Sequence, residues 1–181
     1  MRAGCRRYGH INVTKNTNRN MAHESIEVNL PLAKVYELLN TPTEFPRFLR
    51  NIDQVNKINS QTFEFVTAIG DKEFRWTTNI IDDLRNTRFA WITINGNLNQ
   101  TGTIRFTPLN SGTRTRIDFS LDYRTFFGEP DEDLRGFIEG IQEQLKTDLT
   151  FFKETAEGGG FFDEVASAKS ESEDAKEQAA V

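Results

Sequence analysis

The chain has one cysteine, Cys5, so no internal disulfide can form, and a reducing compartment is the simplest setting. It has two histidines, His10 and His23, with no third ligand patterned beside either; no metal site is expected. No stretch approaches the roughly 18 apolar residues needed to span a bilayer. The basic N-terminus also lacks the apolar core of a secretion signal, so the default expectation is a cytoplasmic protein, with transient membrane contact left open. A serine elbow, a Cys–His pairing outside the N-terminal arm and a dinucleotide fingerprint are likewise missing, and no cofactor is implied. Gly158-Gly159-Gly160 follows a helical pattern without a Lys-Ser/Thr pair behind it, which excludes a phosphate loop. Basic residues are in deficit: 22 Lys and Arg against 27 Asp and Glu leave a net charge of -5. That balance argues against a nucleic-acid partner.

Phenylalanine, by contrast, is abundant, with 15 residues against two Trp and three Tyr, and it predicts a bulky aromatic interior. A length of 181 residues favours one domain, and 36% hydrophobic with 27% charged residues is a globular composition. Residues 1–21 hold five arginines and lysines, no acid and few aliphatics, too little to order themselves. They read as a disordered extension, or as sequence preceding a natural start at Met21; an Arg-rich targeting arm is the alternative. Residues 159–181 read as a flexible acidic tail, from which Phe161 and Phe162 could tuck back. The folded unit is expected over 22–158.

Within it, His23 to Leu30 alternates as a strand does around Ile26 and Val28. Pro31 suits the first turn of a short helix with Val35, Tyr36, Leu38 and Leu39 on its apolar face. Thr41-Pro42-Thr43-Glu44-Phe45-Pro46 ends that helix and begins another ending near Leu49. From Ile52 to Tyr123 the period becomes two. Turn signals recur at Asn59-Ser60, Gly70-Asp71, Asn86-Thr87, Asn95-Gly96 and Asn110-Ser111-Gly112, so a meander of hairpins follows, about seven strands with the N-terminal one. Leu134, Phe137, Ile138, Ile141, Leu145, Leu149 and Phe152 then fall at helical spacing, with Asp131, Glu132 and Asp133 at the start, where the helix dipole favours acids. A long amphipathic helix needs a wide apolar partner, and the sheet's inner face is the candidate. The fold class is therefore α+β: a curved antiparallel sheet wrapped around a long C-terminal helix, with two short helices after the first strand.

Several segments carry a family resemblance. Phe45-Pro46-Arg47-Phe48, Phe74-Arg75-Trp76, Phe89-Ala90-Trp91, Gly102-Thr103-Ile104-Arg105-Phe106-Thr107-Pro108, Thr115-Arg116-Ile117 with Leu121-Asp122-Tyr123, and Asp148-Leu149 with Phe152-Lys153 resemble, in order and spacing, the SRPBCC or START-like superfamily with its helix-grip fold. The nearest branch is the polyketide cyclase/dehydrase type, similar also to ubiquinone-binding and lipid-transport members. The resemblance covers roughly residues 22–157. It implies a deep cavity between sheet and helix for lipids, polyketides or other apolar molecules. Arg75 stands where branch members more often carry an acid.

The expected ligand-lining set is Phe65, Trp76, Trp91, Phe106, Phe119 and Tyr123 from the sheet, meeting Phe137, Ile141 and Leu145 from the helix, around a hollow too large for side chains to plug. The alternative is that these rings interdigitate as core. Thr67, Thr78 and Thr93 place hydroxyls on the same face, where a ligand, a water or one another would satisfy them. Gly136 and Gly140, one helical turn apart, mark a close approach, a kink or a ragged helix start. Arg114, Arg116, Asp118, Asp122 and Arg124 read as a solvated cross-strand ladder. No catalytic residue is assigned; Tyr123 and Arg75 are the candidates for proton donor or anchor should the pocket fold a reactive chain. Three functions stay open: carrier or sensor of a hydrophobic small molecule, polyketide cyclase or aromatase, and protein-interaction or ribosome-associated regulator using the acidic tail.

Overall fold

The computed structural model describes residues 21–124 and 132–161. The expectations for residues 1–20, for Asp131 and for the tail from 162 onward lie outside them, as do the side chains of Arg124, Glu132, Asp133 and Leu134.

Strand β1 (Met21–Val28) leads into helix α1 (Leu32–Leu39), which buries Val35, Tyr36 and Leu39. Pro31 stands just before the helix, and its carbonyl accepts from the N–H groups of Lys34 and Val35. The second short helix is a 3₁₀ turn, Pro42–Arg47, because Pro46 inside it has no N–H to continue an α-helical ladder. Six strands follow: β2 (Gln54–Lys57), β3 (Thr62–Ile69), β4 (Lys72–Leu84), β5 (Arg88–Gly96), β6 (Asn99–Leu109) and β7 (Arg114–Arg124). Helix α2 runs from Glu132 to Glu157. The sheet is antiparallel throughout, in the order β1-β7-β6-β5-β4-β3-β2, so the first strand closes against the last.

Residues with positive φ mark the turns at Gly70, Asn86 and Asn110-Ser111-Gly112, where the sequence signals lie. The Asn95-Gly96 signal is misplaced: both residues belong to β5, and the chain reverses just after them. Gly96, at φ 124, sits where a Cβ would run into the main chain of Arg75 and Trp76. The glycine serves close approach of β5 to β4 rather than the turn, which Asn97 closes by accepting the Arg75 N–H at 3.1 Å. Between β4 and β5 the register slips twice, near Thr77 and near Ile80. Such bulges bend a sheet, and here they leave Ile81 and Ile94 exposed on a strand pair that is otherwise well packed.

The inner face carries Phe63, Phe65, Phe74, Trp76, Phe89, Trp91, Ile104, Phe106, Ile117, Phe119, Leu121 and Tyr123, all buried. Against it α2 lays Ile138, Ile141, Leu145, Leu149, Phe152 and Ala156. Gly102 is required for this packing, because a Cβ there would fall inside the indole of Trp91, which lies across β6. Gly136 and Gly140 have open space beside them and α2 continues through both, so neither marks a close approach of sheet to helix. Two side chains tie α2 to β1. Gln142 pairs with the main chain of His23, accepting its N–H at 2.9 Å and donating to its carbonyl at 3.1 Å, while Glu157 accepts the Asn29 N–H at 2.7 Å. Phe161 is buried beyond the helix end, stacked on Phe152 at 5.5 Å, with the Arg47 guanidinium over its ring at 4.9 Å from the centroid. On the outer face Arg114 pairs across strands with Glu27, whereas Arg116 reaches Asp118 along its own strand.

Candidate ligand-binding site

Because α2 is fastened along β1, the opposite flank of the helix faces the middle of the sheet and the 3₁₀ turn. There Ile141, Gln144, Leu145 and Asp148, spaced three or four apart on one stripe, close over Phe45, Leu49, Asn51, Ile52, Phe65, Trp91, Gln100, Leu121 and Tyr123. These residues enclose a pocket with mostly apolar walls. The free space between them is about 20 Å³, room for one water. The expected hollow too large to plug is therefore not present as open volume. The rings themselves fill it: Phe45 packs on Phe48, Phe65 and Trp91 at centroid distances of 5.6, 6.2 and 5.5 Å, and Phe65 stacks on Trp76 at 5.5 Å.

The pocket brings together five of the residues expected from the sequence, Phe65, Trp91, Tyr123, Ile141 and Leu145. Trp76, Phe106 and Phe119 are buried around it as supporting core and do not line it, and Phe137 packs edge-on against Tyr123 from outside. The threonines are also buried, but their hydroxyls are satisfied by main-chain carbonyls rather than by one another: Thr67 donates to Asn51, Thr78 to Phe63 at 3.5 Å and Thr93 to Gln100 at 3.1 Å. A strand's own carbonyls lie within reach of a threonine on its neighbour, so no ligand is required to explain them. Arg75 lies on the other side of the sheet, half exposed and paired with Glu73 at 2.7 Å and Glu64 at 3.4 Å. It cannot reach the interior and is withdrawn as a donor or anchor.

Four polar residues that line the pocket, Asn51, Gln100, Gln144 and Asp148, were not assigned to a site from the sequence. Gln100 is buried in β6, its amide accepting the Trp91 indole N–H at 3.0 Å and donating to the Tyr123 hydroxyl at 2.6 Å. Asp148 is 2% exposed and accepts from the Gln144 amide at 2.7 Å. Burial raises its pKa above the ordinary carboxylate value, against the pull of the Gln144 bond and of the Arg50 main chain and charge. Burial likewise pushes the Tyr123 phenol far above the usual tyrosine range; its bond from Gln100 pulls the other way and the Asp148 charge adds to the rise. Signals for two of these existed. Gln100 shares the inward phase of β6 with Gly102, Ile104 and Phe106, and Asp148 falls on the stripe of Ile141 and Leu145. Phe45, which anchors the floor, sits in a 3₁₀ turn where periodicity gives no signal, although its segment Phe45-Pro46-Arg47-Phe48 is among those that carry the family resemblance.

Among the described residues no His, Cys, Asp and Glu cluster is fit to hold a metal ion, and no helix is long and apolar enough to cross a membrane.

A family model described as polyketide cyclase / dehydrase and lipid transport matches residues 21–157. An uncharacterised 17.2 kDa protein of Streptomyces lincolnensis is 26% identical over 138 residues, covering 76% of this chain and 89% of its own. Among solved structures, a START superfamily protein from Mycobacterium smegmatis aligns with a TM-score of 0.61 at 14% identity, over 75% of this chain and 98% of that one. An aromatase/cyclase from Streptomyces sp. R1128 aligns at 0.51 with 16% identity, over 76% and 88%. At such identities the structural likeness establishes the fold: a seven-stranded antiparallel sheet gripping a C-terminal helix.

Proposed function

The chain belongs to the polyketide cyclase / dehydrase and lipid transport family, and on that premise we propose that it binds a small hydrophobic molecule between the sheet and α2, as a carrier or sensor. The observation that carries this reading is an apolar pocket into which a few polar groups converge: Gln100, Tyr123, Gln144 and Asp148.

Pockets that hold small molecules enclose roughly 300–1,000 Å³, so anything larger than water enters by displacing side chains. Ile141 and Leu145 are the side chains placed to yield, because they close the pocket by apolar contact, whereas Asp148 is bonded to Gln144 and to the Arg50 main chain. Native mass spectrometry of the full chain purified from its own cells, followed by titration with a fatty acid, a naphthoquinone and a polycyclic phenol, tests the reading. A co-purifying apolar mass, or binding that Leu145→Trp abolishes by filling the pocket, is the expected result. No bound mass and no titration with any of the three would overturn it.

Cyclisation of a polyketide-like chain is the second reading, favoured by one observation: Tyr123 holds a phenol proton inside the pocket. Turnover of such a chain that survives Tyr123→Phe unchanged would remove that donor.

A further inference from the structure

The hydrogen-bond polarity of the pocket is fixed by a relay that begins at an indole. Trp91 Nε1–H can only donate, and it donates to the side-chain oxygen of Gln100. The orientation of the Gln100 amide is thereby settled, since turning it over would set its NH₂ against the Trp91 N–H. The NH₂ must then face Tyr123, and the phenol oxygen accepts at 2.6 Å. The main chain of Gln100 is held by the Thr93 hydroxyl, to which its N–H donates at 2.9 Å and from which its carbonyl accepts at 3.1 Å. Trp91 is held by Phe45, Phe89 and Phe119 at centroid distances of 5.5, 5.8 and 6.0 Å.

With its oxygen taken by Gln100, Tyr123 has its own O–H left to give, and among the described residues no side chain or carbonyl accepts it. A second donor is in the same condition: the Trp76 indole N–H is buried without a partner, and its ring stacks on Phe65, a wall of the pocket. An unmade bond in such a place is costly. Tyr123 is thus a pocket-lining donor left without an acceptor, whereas Gln144 and Asp148 bring acceptor oxygens to the same walls.

We infer that the molecule this pocket takes presents a hydrogen-bond acceptor, a carbonyl oxygen on an otherwise apolar frame, and that Tyr123, set by Gln100 and Trp91, is the residue that engages it. The inference rests on the binding role proposed above and adds to it the chemical class of the ligand. A plain hydrocarbon would leave the phenol unpaired.

The test uses a matched pair, 9-fluorenone and fluorene, which share one carbon frame and differ in the carbonyl. The work of opening the pocket is the same for both and cancels. Titration calorimetry of the full chain is expected to give about tenfold tighter binding of fluorenone, the size of one buried hydrogen bond. Tyr123→Phe is expected to erase that preference, so that the variant binds fluorenone and fluorene equally. The infrared band of the bound ketone should move to lower wavenumber in the unmodified protein, a reading that stands even where the variant fails to fold. Equal binding of the two with an unshifted band overturns the inference and leaves the binding role intact. A preference that survives Tyr123→Phe overturns the assignment to that residue. Binding of neither compound overturns both the inference and the role beneath it.

Discussion

Replacing Gly102 with alanine sets a methyl group inside the volume now held by the Trp91 indole, far within the ~3.5–4.0 Å at which carbon atoms rest. One of the two must move. Strand β6 is bonded on both sides, to β5 and β7, so the indole is the part that yields. It cannot yield freely, because Phe45, Phe89 and Phe119 surround it and Gln100 holds its nitrogen. Overpacking of this kind costs about 1–3 kcal/mol, and loss of the Trp91–Gln100 bond adds about 1 kcal/mol. The expected destabilisation is about 2–4 kcal/mol, which for a domain of this size lowers Tm by about 10 °C. The cost is specific to the indole, so a double-mutant cycle isolates it. In a Trp91→Phe background the atoms in collision are gone, and Gly102→Ala should cost less than about 1 kcal/mol, since alanine suits a strand better than glycine does. Urea unfolding followed by far-UV circular dichroism reads all four proteins without relying on Trp91 as the probe. Equal cost of Gly102→Ala in both backgrounds would refute the reasoning.

Phe45→Ala, which removes the ring packed on Phe48, Phe65 and Trp91, should cost about 3–5 kcal/mol in urea unfolding; a loss below about 1 kcal/mol would contradict its place as the pocket floor. Asp148→Asn tests the raised carboxyl. A group that holds its proton more tightly folded than unfolded gives stability at low pH and loses it as pH climbs from the ordinary carboxylate value through the raised one. The unmodified protein should therefore lose stability relative to Asp148→Asn across that climb, and parallel curves between pH 3 and pH 8 would refute the burial argument. Arg75→Ala, at an exposed outer-face position, should change stability by no more than about 0.5 kcal/mol and leave fluorenone affinity unaltered; a lost affinity would put Arg75 back in the site.

The sequence was most legible where a period ran long enough to repeat. The alternation of Phe63, Phe65 and Thr67, of Phe74, Trp76 and Thr78, and of Ile117, Phe119, Leu121 and Tyr123 names both the strands and their inward face, because a strand's side chains can only alternate. The stripe from Phe137 to Phe152 names α2 for the corresponding helical reason. Turn chemistry did nearly as well and failed at Gly96, where a glycine needed for close packing looks the same on paper as one needed for a turn.

Seven strands, their inward residues and one long helix to cover them thus followed from local periodicity alone, since backbone geometry forces those spacings whatever the chain does elsewhere. Which inward residues meet in one pocket was decided by the tertiary fold. Fastening α2 to β1 through Gln142 and Glu157 turns Asp148 and Gln144 toward the sheet, and the β6–β7 register sets Gln100 opposite Tyr123. The remaining volume, too, was settled only in three dimensions: Phe45, carried in by a turn with no period, fills space that a strand-by-strand reading leaves empty.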